Sequence, residues 1–190
     1  MDDTKLESPF RVSLAAKVVK AWRDSRYNCI NEDTDFLTMS LEIPSWPEGD
    51  TLLARIRNHV GEPEAMIEGK MYDISGRVYF KKGWHRQYLY ITGQRESPEV
   101  SDTQQVRPPL FEVFCNITGV ISNNKIGLMW GVRDEYENQS ENVRQYISTT
   151  CPYPKEVVAK KVHKLWRIGG RMLGTNDLGI REMTSIDYLK

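Results

Sequence analysis

The sequence predicts a single α+β domain, in which a mostly antiparallel sheet packs against two or three helices and an N-terminal amphipathic helix or arm precedes it. Three observations lead to this prediction. Apolar residues recur at helical spacing near both ends of the chain, and short runs rich in β-branched and aromatic residues lie between them. Hydrophobic residues make up 39% of the 190 positions, as expected of a folded protein. We expect an N-terminal arm with the amphipathic helix over residues 1–34 and an α+β core domain over residues 35–190.

The first predicted element is an amphipathic helix from Ser8 to about Arg26. A serine and a proline stand at its start, and apolar residues follow at helical spacing: Val12, Ala15, Ala16, Val19 and Trp22. Its other faces are basic, so we expect this helix to dock on a membrane or on a neighbouring subunit. The residues expected to make that contact are Val12, Val19, Trp22, Lys17 and Lys20.

A strand and a short helix are predicted next. Apolar and polar residues alternate from Phe36 to Ile43, which is the period of a half-buried strand. Residues 51–60 carry apolar side chains at helical spacing, and Gly61 is a suitable stop beyond them. The sequence therefore predicts a short helix over 51–60.

Two hairpins are predicted in the middle of the chain. Residues 71–80 and 87–92 are rich in tyrosine, valine and isoleucine and flank a turn that contains Gly83. Residues 110–121 and 125–132 flank Ser122, Asn123 and Asn124, where asparagine tolerates left-handed turn geometry. The polar, proline-bearing segment 93–109 between the hairpins is expected to be a long surface loop.

The C-terminal part is predicted to contain a loop, a helix and a strand. An acidic loop over 134–141 precedes a short amphipathic piece around Tyr146. Pro154 begins a helix that extends to Arg167, because four apolar residues form one stripe: Val158, Val162, Leu165 and Trp166. A last strand is expected from Ile180 toward the C-terminus, and no internal repeat is visible.

Composition and cysteine usage exclude several classes of protein. Lysine plus arginine and aspartate plus glutamate number 26 each, so any charged surface must be local. Cys29, Cys115 and Cys151 are odd in number and widely spaced, which fits neither a disulfide framework nor a zinc site and favours a reducing compartment. No apolar stretch of the kind that a signal peptide requires is present at the N-terminus.

Motifs for standard enzyme chemistry are missing from the sequence. Neither phosphate-cradling glycine pattern occurs, and the three histidines stand far apart without metal-ligand spacing. We therefore expect no catalytic residue, metal site or cofactor. The alternative is a catalytic pair of Cys115 or Cys151 with a histidine that is distant in sequence and adjacent only in the fold. The competing interpretation is that Cys115 is a small core residue.

Two basic segments are candidate binding surfaces. Lys160, Lys164, Arg167 and Arg171 follow one another at offsets of four, three and four, which places them on one face of a helix. Such a ridge suits phosphates of nucleic acid or of lipid headgroups, or is the solvated outer face of a surface helix. The second segment runs from Arg77 to Arg95 and interleaves aromatic residues that can stack on bases or simply belong to strands. Its candidate binding residues are Lys81, Lys82, Trp84 and Arg86.

Several pieces of the sequence carry a resemblance to a known family. They are the strand at 36–41, the hairpin opened by 111–114 with 119–121, the acidic pair at 134–135, the basic helix with the glycines after it, and the closing residues 185–190. In this order, the chain from Phe36 onward resembles the matrix proteins of rhabdoviruses, particularly the compact ones of plant-infecting members. It departs from some members by lacking their N-terminal lysine run and their late-budding motifs.

The resemblance implies a non-catalytic structural protein that self-associates and bridges ribonucleoprotein to the inner face of a membrane during assembly and budding. It implies as partners further copies of the chain, the viral nucleocapsid, an anionic membrane surface and RNA, and as location the host cytoplasm and the virion. The alternative is a nucleic-acid-binding or silencing-type module that uses the basic and aromatic hairpin. The third hypothesis is an enzyme whose site is assembled only in the fold.

Overall fold

The computed structural model describes residues 9–24, 34–59, 61–80, 87–97, 106–122, 124–133, 140–150 and 164–186. Within these ranges the chain forms ten strands and no helix. The strands are β1 (Phe10–Asp24), β2 (Thr34–Glu42), β3 (Thr51–His59), β4 (Met71–Phe80), β5 (Gln87–Glu96), β6 (Leu110–Ser122), β7 (Lys125–Arg133), β8 (Ser140–Thr149), β9 (Leu165–Gly174) and β10 (Asp177–Ile186). The described residues hold no helix with the length and apolar character that a membrane crossing requires.

The described strands close into two successive barrels. In the first barrel, β1 pairs with β2, β2 with β3, β3 with β5, β5 with β4, and β4 again with β1. In the second, β6 to β10 repeat this order, as β6–β7–β8–β10–β9–β6. The third and fifth strands of each barrel pair in parallel, and their other neighbours are antiparallel. Each unit is thus a five-stranded barrel of the kind known as the oligonucleotide/oligosaccharide-binding (OB) fold.

Strict alternation along the strands builds the two barrel interiors. The even-numbered residues of β1 from Val12 to Val18 are buried, whereas the odd-numbered ones reach the surface. In β6 the odd-numbered residues from Phe111 to Ile117 are buried instead. Met66, from the connection between β3 and β4, adds a fully buried side chain to the first core.

A glycine in the fourth strand of each barrel allows the fifth strand to approach closely. A Cβ atom at Gly76 would collide with the carbonyl oxygen of Tyr90, and one at Gly170 would collide with that of Gly179. Both glycines lie beside a register shift in the pairing of the fourth strand with the fifth. The two barrels therefore share a bend at the same place, where a side chain is sterically forbidden.

The first strands of the two barrels pair with each other. Residues 10–13 of β1 form an antiparallel ladder with residues 110–113 of β6. The ring of Phe10 stacks on Phe111 at a centroid distance of 5.3 Å and lies 5.9 Å from the ring of Trp130. Nε1 of Trp46, in the first barrel, donates a buried hydrogen bond of 2.9 Å to the carbonyl oxygen of Met172 in the second. Ladder, rings and hydrogen bond together join the barrels.

The predicted α+β class is wrong, because the described residues are all β. The expected N-terminal amphipathic helix is strand β1, and the expected helix over 51–60 is strand β3. In both segments apolar residues occupy adjacent positions, such as Ala15 with Ala16 and Leu52 with Leu53, so the same residues satisfy a helical and a β period. Both segments form strands because their pairing with neighbouring strands closes the barrel.

The helix predicted to extend from Pro154 to Arg167 is wrong at its end, because Leu165 begins strand β9. Residues 154–163 lie outside the described residues. The piece around Tyr146 is strand β8, and the expected loop over 93–109 loses residues 93–96 to β5. The predictions of β2 and of the β4–β5 and β6–β7 hairpins are confirmed. The last strand is present as β10, and the predicted continuation over residues 187–190 lies outside the described residues.

Replacing either bend glycine by alanine should destabilise the protein. We expect Gly76→Ala and Gly170→Ala each to lower the free energy of unfolding by about 2 kcal/mol or more, because the new methyl group must displace backbone atoms. Gly119→Ala is the matched control, since a Cβ atom there meets nothing within 4 Å. Urea unfolding of the three variants measures the difference. Equal stability of all three would contradict the close approach.

Candidate nucleic-acid interface

The outer surface of β1, β2, β3 and β5 in the first barrel gathers basic and aromatic side chains. Arg55 and Arg57 of β3 alternate with residues that face the core, so both point outward. Cross-strand register places Arg55 between Thr38 of β2 and Tyr90 of β5. We call this side of the barrel the basic-aromatic face and define it by Lys20, Trp22, Phe36, Thr38, Arg55, Arg57, Tyr88 and Tyr90. Lys20 and Arg57 are exposed, Trp22, Arg55 and Tyr88 are half-buried, and Phe36, Thr38 and Tyr90 are buried.

Contacts between arginine and aromatic rings lie at the centre of the basic-aromatic face. The guanidinium carbon of Arg55 lies over the ring of Tyr88, 5.2 Å from its centroid. The rings of Phe36 and Tyr90 meet edge to face at 6.1 Å. Both geometries are favourable for side chains of these types. They hold the central side chains in fixed positions, while Arg57 and Lys20 at the margin are exposed.

Two residues predicted to serve membrane docking or self-association lie on this face instead. Trp22 pairs with Thr38 and Lys20 pairs with Ser40 across the β1–β2 ladder. The remaining three residues of that prediction are dispersed. Val12 is 4% exposed inside the first barrel and is unable to contact a membrane, whereas Val19 and Lys17 are exposed elsewhere on β1.

The predicted basic ridge is not a ridge in the structure. Arg167 and Arg171 lie on a strand, four residues and about 13 Å apart along it, and Lys164 precedes that strand. Arg167 is engaged by carboxylates, with Nη2 at 2.6 Å from Oε1 of Glu182 and Nε at 3.7 Å from Oε2 of Glu112. Lys160 lies outside the described residues. From Lys164 onward the described chain holds no helix, so Lys164, Arg167 and Arg171 do not share a helix face.

The second predicted basic segment includes the connection between β4 and β5, and residues 81–86 of this connection lie outside the described residues. Lys81, Lys82, Trp84 and Arg86 lie outside the described residues. The flanking residues are described, and register places Arg77 of β4 next to Tyr90 of β5. The end of β5 that this segment leads into therefore belongs to the basic-aromatic face.

Arg55 and Arg57 are not among the binding residues predicted from the sequence. Because a helix was predicted over 51–60, the two arginines were not placed on one side of a sheet. A signal was present, because Leu52, Ala54 and Ile56 alternate with the two arginines in a period of two. That alternation places both charges on one side of a strand.

The described residues do not assemble an enzyme site of the kind considered above. Cys115 is 1% exposed in the core of the second barrel, and burial raises the pKa of its thiol to about 12. A thiol in this environment is protonated at neutral pH and is not a nucleophile. Cys151 lies outside the described residues, and in the described part of the chain no three potential metal ligands come together.

Comparison with known proteins supports the fold. No family model matches the chain, and no curated protein matches its sequence. A solved deletion mutant of the single-stranded DNA binding protein from Thermus aquaticus is similar, with a TM-score of 0.54 and 11% sequence identity over 95% of this chain and 96% of that one. The similarity therefore includes both barrels, and at this identity it shows the fold alone.

A second solved structure, a Replication Protein A heterotrimer bound to single-stranded DNA, matches with a TM-score of 0.33 and 12% identity. The match covers 100% of this chain, which spans 52% of the other. That TM-score is too low for a conclusion about the fold.

These findings correct the matrix-protein hypothesis. The α+β fold that the resemblance implied is wrong, and nothing in the comparisons points to a rhabdovirus matrix protein. Roles in virion assembly, nucleocapsid bridging and membrane attachment have no support in the fold or in the similar structures.

The thiol of Cys115 should resist alkylation in the folded protein. In a variant with Cys29→Ser and Cys151→Ser, Cys115 is the remaining cysteine of the sequence. Because burial keeps its thiol protonated and covered, iodoacetamide at pH 8 should label it only as fast as the protein unfolds. Mass spectrometry across a urea series measures this. Rapid labelling without urea would show that Cys115 is accessible and reactive.

Proposed function

We propose that this chain binds single-stranded nucleic acid on the basic-aromatic face, as a non-enzymatic module. The observation that carries the proposal is the contact of Arg55 with the half-buried Tyr88 on the outer side of the first barrel, next to the exposed Arg57. In OB folds, the surface of the second and third strands is where oligonucleotides and oligosaccharides bind. The basic-aromatic face includes that surface of the first barrel.

The chemistry of the face suits a single strand. Unpaired bases expose flat surfaces that stack on tyrosine, tryptophan or guanidinium groups, and every base offers such a surface. Phosphates attract arginine and lysine with an affinity that falls as salt rises. Lys20 and Arg57 are exposed at the margin of the aromatic centre, where a backbone passing the stacked bases would meet them.

The balanced net charge is compatible with this proposal. In the second barrel, Arg167 is accompanied by Glu112 and Glu182, so part of the positive charge is compensated locally. Lys20, Arg55 and Arg57 lie together on the basic-aromatic face of the first barrel. A neutral protein can thus present a local cationic surface, and it is that surface which sets the attraction for phosphates.

Two relationships agree with the proposal. The Thermus aquaticus protein of similar fold is described as a single-stranded DNA binding protein. The hypothesis of a module that uses the hairpin from Arg77 to Tyr90 shares Tyr88 and Tyr90 with the face. DNA and RNA are both candidate ligands, and the same assay with each distinguishes them.

Removing the central contact should weaken binding to a labelled single strand. We expect Arg55→Ala and Tyr88→Ala each to cost about 1–3 kcal/mol, because each removes a stacking surface. Fluorescence anisotropy with single-stranded DNA and RNA measures the affinity. Arg95→Ala is the matched control, since Arg95 lies on the same strand as Tyr88 but is paired with Asp73 at 3.2 Å. Unchanged binding in both face variants, with unchanged melting temperature, would overturn the proposal.

The salt dependence of binding should report the marginal arginine separately. Arg57→Gln removes one cation without removing an aromatic ring, so we expect the slope of log affinity against log salt to become shallower by about 0.7. Arg95→Gln should leave the slope unchanged. A titration of the single strand between low and high salt measures both slopes. Equal slopes in the wild type and in Arg57→Gln would show that Arg57 contacts no phosphate.

A further inference from the structure

We infer that the second barrel carries a separate nucleobase-binding site centred on Tyr146, which rests on the proposed function and extends it to a second surface. Tyr146 belongs to β8, and its side chain points outward, as its neighbour Ile147 points into the core. Tyr146 is 64% exposed, the largest exposure among the exposed large hydrophobic residues of the described chain. An exposed aromatic ring on a rigid strand is a stacking surface.

The ring of Tyr146 lies close to the sheet because its cross-strand partner is a glycine. Gly127 of β7 pairs directly with Tyr146. A Cβ atom at Gly127 would lie 3.3 Å from Cε1 and 3.5 Å from Cδ1 of the tyrosine ring, and it would also collide with Oγ1 of Thr118. The glycine thus leaves room for the edge of the ring that carries these two atoms. With 64% of Tyr146 exposed, the ring is accessible to a base.

Two cations accompany this ring. Nζ of Lys125 lies 5.8 Å from the ring centroid, and Arg144 is exposed two residues before Tyr146 on the same face of β8. Residues 125–131 and 144–149 contain no aspartate or glutamate. An anion therefore meets only positive charge from these parts of β7 and β8. A base stacked on Tyr146 would place its phosphate within reach of a cation.

This combination identifies the occupant as a nucleotide unit of a single strand. An apolar partner would use the ring but would make no use of the two cations. Free phosphate would use the cations but not the ring. A nucleotide offers a flat base and an anionic phosphate in one unit, and it matches both features.

A chain with two such sites should bind long single strands more tightly than short ones. One OB barrel covers about 4–16 nucleotides, so an oligonucleotide of roughly 30 nucleotides is long enough to engage both sites. Linked binding raises the overall affinity above that of either site alone. Loss of the second site should therefore affect the long strand most.

The test uses the full chain with two strands. A strand of about 6 nucleotides has a length that one barrel accommodates, and a strand of about 30 nucleotides has a length that two barrels accommodate. We expect Tyr146→Ala to weaken binding of the long strand by roughly five- to a hundredfold, and Tyr146→Phe, which keeps the ring, to bind like the wild type. Photocrosslinking with bromouracil-substituted strands should attach the nucleotide to Tyr146, as identified by mass spectrometry.

The outcomes separate this inference from the proposed function. If Arg55→Ala weakens binding but Tyr146→Ala does not, and no crosslink forms at Tyr146, the second site is overturned and the first stands. If Tyr146→Ala weakens binding and neither Arg55→Ala nor Tyr88→Ala does, the second site stands and the basic-aromatic face is overturned. A Tyr146→Ala variant that loses a concentration-dependent dimer, with strand binding unchanged, would show that a second copy of the chain covers Tyr146 and would overturn the inference.

Discussion

The structure depends on closing two very small barrels. Each closes through a short parallel contact between its third and fifth strands, at residues 53–55 with 88–90 in one barrel and 148–149 with 177–178 in the other. These few residue pairs between the third and fifth strands require the fifth strand to pass close to the fourth. Gly76 and Gly170 provide the space for that crossing, since a methyl group at either position would overlap a carbonyl oxygen. The interior, the outer surfaces and the order of the loops all follow from this closure.

Closure also determines where binding chemistry can be displayed. A closed barrel fills its interior with apolar side chains and leaves every second residue of a strand on the outside. In β3 those outward positions are Arg55 and Arg57, and in β8 they are Arg144 and Tyr146. The two surfaces differ in their surroundings. Arg55 is held against the ring of Tyr88, whereas Tyr146 lies beside the backbone at Gly127 and is 64% exposed.

The sequence predicted the strands whose alternation is unambiguous, such as β2 and the hairpin around Asn124, but not those in which apolar residues stand side by side. In β1, Ala15 and Ala16 fit either period, and only pairing with β2, β4 and β6 selects the strand. The basic-aromatic face was only partly predictable for the same reason. Tyr88 lay in a recognised strand, whereas Arg55 lay in a segment read as helical. The repetition of the five-stranded barrel was not visible in the sequence, because a barrel interior requires apolar residues at alternate positions but not particular residue types.

One row of residues across the sheet has the symmetry of a dimer. Val12 pairs with Gly76 on one side and with Phe111 on the other, and Phe111 in turn pairs with Gly170. The order along the row is Gly76, Val12, Phe111 and Gly170, and the two halves of this order are equivalent. A local two-fold axis therefore runs between Val12 and Phe111. Such isologous pairing of equal surfaces is how identical subunits form two-fold dimers. Here both halves belong to one polypeptide, which frees each half to acquire a sequence, and therefore a ligand preference, of its own.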